Sequence, residues 1–328
     1  MLGYDGVIEK THPKNSPAPL RGAAVLDALG AAIDQTDDAT SSYWRQMHAD
    51  FAYADGTLLS AKGFGTRTPR AVGLLGPLHW WLQRPFRADG ENFPAFAKFL
   101  AAGKTVARRH GRAFDYDALR QVLTVSLIDA VVPQALSGDG VVAVIGDGFA
   151  MLSSLFLLAN DRTRVVLVNL TKTLLVDLIY FSKAFPDTGL ALARDSDEMS
   201  VALADPEVRL IAVQADNCDL LRTAPVTLAA NLASMQEMNP SVIARYFGAL
   251  RATPSPETLF YCCNRVEKTL PDGTVVRFAD YPWHDDDRVL LDGPCPWHRC
   301  YYSIHPPFYR EFDGPVRHRL AVLTKAGG

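Results

Sequence analysis

Three groups of residues in this chain have the types and spacing to do chemistry. The first is a glycine turn, Gly146-Asp147-Gly148, set between the apolar runs VVAVI (141–145) and MLSSLFLL (151–158). A buried strand, a tight turn and a helix give this pattern. Glycines there let a ligand come close to the backbone, and the free N–H groups of a helix start favour polar or anionic groups. The same pattern also marks a plain strand-to-helix turn. The second is Asn169, about 20 residues further on, where a nucleoside-binding Rossmann domain carries Asp or Glu for the ribose hydroxyls. Asn can make such bonds without charge assistance, or can simply cap a helix starting at Thr171. The third is sulfur and imidazole. The five cysteines, Cys218, Cys262, Cys263, Cys295 and Cys300, are odd in number and irregular in spacing, which is not a disulfide framework. Cys295 and Cys300 with His298 and His305 can be drawn as zinc ligands. Cys-x4-Cys without a second paired cluster is a poor match to structural zinc spacing, and buried free thiols are the reading adopted, with no metal assigned.

These residues must be positioned by regular elements. Residues 1–20 are polar and proline-rich and read as an extended lead-in. Helices are expected at 20–33, from Asp38 through Tyr43, Trp44, Met47 and Phe51, at 92–109, and at 116–136 with Asp115 or Asp117 in the capping region. Between them, Phe64, Trp80, Trp81 and Phe86 interleave with Arg67, Arg70, Arg84 and Arg87, a pattern suited to a sugar or nucleotide and equally to a helix core with solvated arginines. After residue 137 strands and helices alternate: strands at 141–145, 164–169, 208–214, 225–231 and 257–263, helices at 149–160, 171–184 and near 239–251. Residues 189–193 suit an extra strand or the approach to the third. This alternation predicts βαβ units and a parallel sheet. Pro271-Asp272-Gly273 predicts a hairpin, residues 279–315 an irregular loop region, and 316–325 a last strand. The expected organisation is a helical region over 1–136, serving as lid or oligomer contact, and an α/β domain over 137–328.

Composition narrows the class. The chain has 328 residues, 48% hydrophobic and 21% charged, with a formal charge of −3. It is long enough for a substantial core, and it lacks the basic excess of a general nucleic-acid or acidic-membrane binder. No apolar run reaches about 18 residues and the N-terminus has no signal-peptide texture, so a cytoplasmic protein with a small-molecule partner is expected.

In an open parallel sheet ligands bind beyond the carboxyl ends of the strands. Those ends are Gly146-Asp147-Gly148, Asn169-Leu170, Gln214 to Asn217, Asn231 to Glu237, and Asn264 to Glu267. The series VIGDGFA, VVLVNLTKTLL, LAANLASMQEMNPSVIARYF, LFYCCNRVEKTLPDGTVVRFADYPW and DGPVRHRL, over roughly residues 137–325, resembles the sugar O-methyltransferases. These are S-adenosylmethionine-dependent enzymes of the seven-stranded Rossmann class. The resemblance implies a mostly parallel sheet with an antiparallel last strand and the glycine turn at its centre. It also implies S-adenosylmethionine as cofactor and S-adenosylhomocysteine as product. By position, Gly146, Asp147 and Gly148 would border the methionine part of the cofactor, with Asp147 facing its ammonium. Asn169 and Leu170 would border the ribose, Asp216 or Asn217 the adenine, and Ala233, Ser234 and Met235 the floor. The chain departs from the family pattern at Val144, Ala150 and Asn169.

A sugar hydroxyl needs a general base. Glu237 is the first candidate, followed by His284, His298 and His305. Gln236, Glu237, Asn264, Arg265 and Glu267 are candidates for holding the acceptor. His284-Asp285-Asp286-Asp287 offers oxygen ligands for a divalent cation but reads better as a solvated acidic turn. Two other functions fit the same sequence: a natural-product N- or O-methyltransferase with a non-sugar acceptor, and a non-catalytic cofactor-binding protein.

Overall fold

A computed structural model describes residues 19–54, 56–61 and 75–325 of the chain. The N-terminal lead-in, Phe64, Arg67 and Arg70 lie outside the described residues. The main sheet contains β1 (Leu20–Arg21), β2 (Val141–Ile145), β3 (Arg164–Asn169), β4 (Gly189–Leu192), β5 (Val208–Gln214), β6 (Val226–Leu232), β7 (Thr258–Arg265), β8 (Arg288–Pro294) and β9 (Val316–Leu323). Their spatial order is β1-β4-β5-β3-β2-β6-β7-β9-β8. The six strands from β4 to β7 run parallel, and β9 inserts antiparallel between β7 and β8. This is a Rossmann-like α/β fold with an antiparallel last strand.

The sheet has nine strands where seven were expected. Residues 189–192 form a full strand, outside β5, and Leu20–Arg21 adds an antiparallel edge to it. The expected helix over 20–33 therefore starts late, at Ala23, because Gly22 breaks the chain direction with φ +55°. Residues 288–294, read as loop, are the edge strand β8. That strand is hard to see because only one of its edges is paired and none of its residues is buried, which leaves no apolar period.

The helices are α1 (Ala23–Ala31), α2 (Ser42–His48), α3 (Leu75–Leu82), α4 (Arg84–Gly90), α5 (Phe96–Arg109), α6 (Tyr116–Val131), α7 (Met151–Ala159), α8 (Thr171–Ala184), α9 (Ser196–Ala204) and α10 (Pro240–Arg251). Successive strand side chains point to opposite faces, and both faces are covered. Val142, Val144, Leu167 and Leu210 pack with α1, α5, α6, α7 and α8. Val141, Ala143, Ile145, Val168 and Ile211 pack with α9 and α10. That double burial is why β2 reads as an unbroken apolar run. The helix α6 is buried on nearly all sides, and Asp115 starts it by accepting from the Ala118 N–H at 3.1 Å. The α5 and α6 helices share one apolar cluster with the sheet. Ser41 caps α2, so that helix starts after Asp38 and ends before Phe51. The predicted hairpin is present, pairing Glu267–Thr269 with Val275–Arg277. Among the described residues no helix is long and apolar enough to cross a membrane.

Candidate active site

At the end of β2 the backbone turns sharply. Gly146 and Gly148 have φ of +67° and +76°, and Phe149 and Ala150 follow at +63° and +51°. A left-handed conformation costs a non-glycine residue roughly 1–2 kcal/mol, so this run is held by its surroundings. Asp147 accepts from the backbone N–H groups of Leu152 and Ser153 at 2.8 and 2.7 Å, capping α7. Asp177 accepts from the Ala150 N–H, and the Phe149 ring lies under the Arg112 guanidinium at 3.6 Å. At Gly146 an added Cβ would stand 2.7 Å from the Cβ of Ser234, so only glycine leaves this corner open. Nothing in the sequence marked Phe149 and Ala150 as left-handed.

Beyond the carboxyl ends of β2, β3, β6 and β7 lies a cavity of about 390 Å³. Of the site residues proposed from sequence, Gly146, Asp147, Gly148, Asn169, Leu170, Ala233, Ser234, Gln236, Glu237, Arg265 and His298 line it. The others lie elsewhere. Asp216 accepts from the backbone N–H groups of Asp38 and Ala39, both at 2.8 Å, and is turned from the cavity. Asn217 sits at a kink in the turn after β5. Met235 is fully buried in the core on the α10 side. Asn264 is also buried; it donates to Asn231 and accepts from the Gln236 N–H, so it holds the β6 turn rather than a ligand. Glu267 pairs with Arg277 across the hairpin, half exposed. His284 and His305 are on the surface. Asp287 is buried and fully engaged by Arg251, which argues against a cation at the acidic turn.

Asp177, fully buried, and Asp147, half-buried on the cavity wall, are two carboxylates close together. Burial raises Asp147 to about 6 despite the helix N–H groups, and burial with the Asp147 charge pushes Asp177 well up. The expected role of Asp147 toward an ammonium is thus replaced first by helix capping. Asn169 donates to Asp177 at 2.8 Å and accepts from the Leu170 N–H at 3.0 Å, which engages both ends of its amide.

Glu237 accepts from Lys268 Nζ at 2.7 Å and is hydrogen-bonded to Tyr43. Burial raises its pKa, opposed by Lys268 and Tyr43. His298 accepts at Nε2 from Arg120 at 2.7 Å, because a guanidinium only donates, and Arg120 is paired with Asp117. Its Nδ1 therefore carries the proton and faces Cys295 Sγ at 3.0 Å. Burial holds His298 below its ordinary value. With both nitrogens engaged, His298 is poorly placed as a base.

Sequence reasoning missed the far wall of the cavity, made by Arg112, Asp115, Asp117, Arg120 and Gln121 at the start of α6, and by Phe312. It also missed a strap. Asp37 accepts from the N–H and Oγ1 of Thr171, Asp216 holds the Asp38 and Ala39 amides, and Ser41 Oγ donates to the Glu237 carbonyl at 2.5 Å. Residues 37–43 thus cross the ends of β3, β5 and β6.

No protein-family model matches the chain, and no curated protein matches it. Solved structures are similar to it in part. The pyocyanin biosynthetic protein PhzM is 12% identical over 63% of this chain and 59% of its own, with a TM-score of 0.35. An arsenic(III) S-adenosylmethionine methyltransferase from Chlamydomonas reinhardtii is 14% identical over 58% and 65%, TM-score 0.36. The mitomycin 7-O-methyltransferase MmcR is 15% identical over 76% and 70%, TM-score 0.35. The chain spans less than two thirds of the first two.

Proposed function

We propose that this chain is an S-adenosylmethionine-dependent methyltransferase acting on a hydroxyl of a small molecule. One observation carries the reading. A single cavity joins the glycine turn at the end of β2 to Glu237, a carboxylate held inside the protein by Lys268 and Tyr43. The corner at Gly146, which a Cβ would fill, fits a cofactor laid against the backbone. Gly146 and Gly148 would hold its methionine part, Asn169 and Leu170 its ribose, Ala215 its adenine, and Ala233 and Ser234 the floor. When bound, that group supplies an electrophilic methyl. The chain's own residues orient the acceptor and take its proton.

Glu237 is the base. A carboxylate with a pKa raised by burial removes a hydroxyl proton more readily than an ordinary one, and Lys268 keeps it ionised. Gln236 and Arg265 stand beside it on the cavity wall as acceptor contacts. The apolar walls keep out water that would compete for the methyl. The region before residue 137 acts as lid through the strap at 37–43, and as a contact in a homo-oligomer.

The acceptor is a sugar or glycosylated metabolite, a reading supported by the motif series over 137–325. A second reading, an aromatic natural-product acceptor, is favoured by Tyr43, Trp44 and Phe312 on the cavity wall. Isothermal titration with S-adenosylmethionine and S-adenosylhomocysteine tests the cofactor assignment. Saturable heat with both is expected, and no heat with no thermal shift from either overturns it. Methyl uptake by sugar nucleotides against phenols and amines separates the two acceptor classes.

A further inference from the structure

The sequence suggested Cys295, Cys300, His298 and His305 as a poor zinc set. The fold assembles a different one. Cys295-Pro296-Trp297-His298 forms a single 3₁₀ turn over Pro296–His298, and side chains three apart in such a turn eclipse each other. The Cys295 sulfur and the His298 ring therefore lie on one side, with Sγ 3.0 Å from Nδ1. Cys263, on β7, brings its own Sγ to 3.8 Å from the same Nδ1. The three ligand atoms lie within 4.8 Å of one another, and all three residues are buried. Tetrahedral zinc with Zn–S near 2.3 Å and Zn–N near 2.0–2.1 Å sets its ligand atoms roughly 3.5–3.8 Å apart. The observed 3.0 and 3.8 Å bracket that spacing, so side-chain shifts under about 1 Å would centre an ion.

We propose that Cys263, Cys295 and His298 form a zinc site of two thiolates and one imidazole, set behind the cavity wall that His298 contributes to. The site goes beyond methyl transfer and does not depend on it. Three protein ligands leave a fourth position, the pattern of zinc sites that keep an exchangeable ligand. Coordination sends both thiol protons to solvent and moves the imidazole proton from Nδ1 to Nε2. The Nε2–H then needs an acceptor, which Arg120 is not. Asp117, the carboxylate already bonded to that guanidinium, is the neighbouring group to take this bond, as a carboxylate does for a metal-bound imidazole.

The test uses the full chain refolded with zinc or with cobalt(II), then dialysed. About one zinc per chain by plasma mass spectrometry is expected, with a thiolate-to-cobalt charge-transfer band and the strong visible bands of a tetrahedral site in the cobalt form. C263S/C295S should lose both. C295H, which restores a ligand, should keep the metal with a weaker charge-transfer band. C218S, a buried cysteine elsewhere, should bind as the parent does. A metal-free parent chain after refolding with zinc overturns the site. So does an unchanged cobalt spectrum in C263S/C295S, or in C295H. Should C263S/C295S not fold by circular dichroism, the parent and C295H spectra decide. S-adenosylmethionine titration of the same samples reads the methyltransferase assignment separately.

Discussion

Gly146→Ala is the sharpest perturbation of the cavity corner. The new Cβ carries two costs. A left-handed φ of +67° costs an alanine roughly 1–2 kcal/mol. The Cβ also falls 2.7 Å from the Ser234 Cβ, far inside van der Waals contact, so Ser234 must move. Its Oγ donates to the Ile145 carbonyl at 2.9 Å and bonds the Asn231 amide, and losing two such bonds costs about 2 kcal/mol. The expected destabilisation is about 3–4 kcal/mol. With an unfolding entropy near 2.1 cal/mol/K per residue, that lowers Tm by roughly 4–6 °C in a chain of 328 residues. Ser234→Gly alone loses the same two bonds, about 2 kcal/mol. In the double variant the clash is gone and those bonds are lost only once, so its cost stays near 3–4 kcal/mol rather than the additive 5–6. Urea unfolding of the parent, both single variants and the double variant measures this coupling of about 2 kcal/mol. Additivity within about 0.5 kcal/mol would show that Ser234 does not fill the corner and refute the reasoning.

Further outcomes follow from charge placement. Glu237→Gln should lower kcat by roughly 10²–10⁴-fold and remove the acid limb of the pH–rate profile, a limb expected above the ordinary Glu value of 4.5. Because Lys268 opposes the rise caused by burial, Lys268→Met should move that limb to still higher pH; an unmoved limb means another base. Arg251→Ala leaves Asp287 buried without its partner and should cost about 3–5 kcal/mol in urea unfolding, whereas R251M/D287L should recover most of it. Burial pushes Asp287 up, but Arg251 and two backbone N–H groups outweigh it and hold its pKa below 3.8. The parent therefore has this contribution above pH 3.8 and loses it as pH falls through the folded value, a dependence that Arg251→Ala should abolish.

Sequence alone determined what is local. The run VVAVI with its glycines placed β2 and the turn, since both faces of a central parallel strand must be apolar. Asp115 or Asp117 announced the start of α6, and Asp115 is the cap, because capping is a contact between near neighbours. The strand ends pointed to the cavity through the general behaviour of parallel sheets. Tertiary structure decided the rest. Asp216, expected at a ligand, serves the strap because Asp38 and Ala39, about 180 residues earlier, bring two N–H groups to it. The pairing of Glu237 with Lys268 and Tyr43 joins a strand end, a hairpin and the N-terminal region, and no spacing rule links those three. Cys263 meets Cys295 and His298 only because the connection between β8 and β9 folds back over β7. Spacing rules see residues that share a helix or a strand. Side chains brought together by chain crossings leave no period in the sequence.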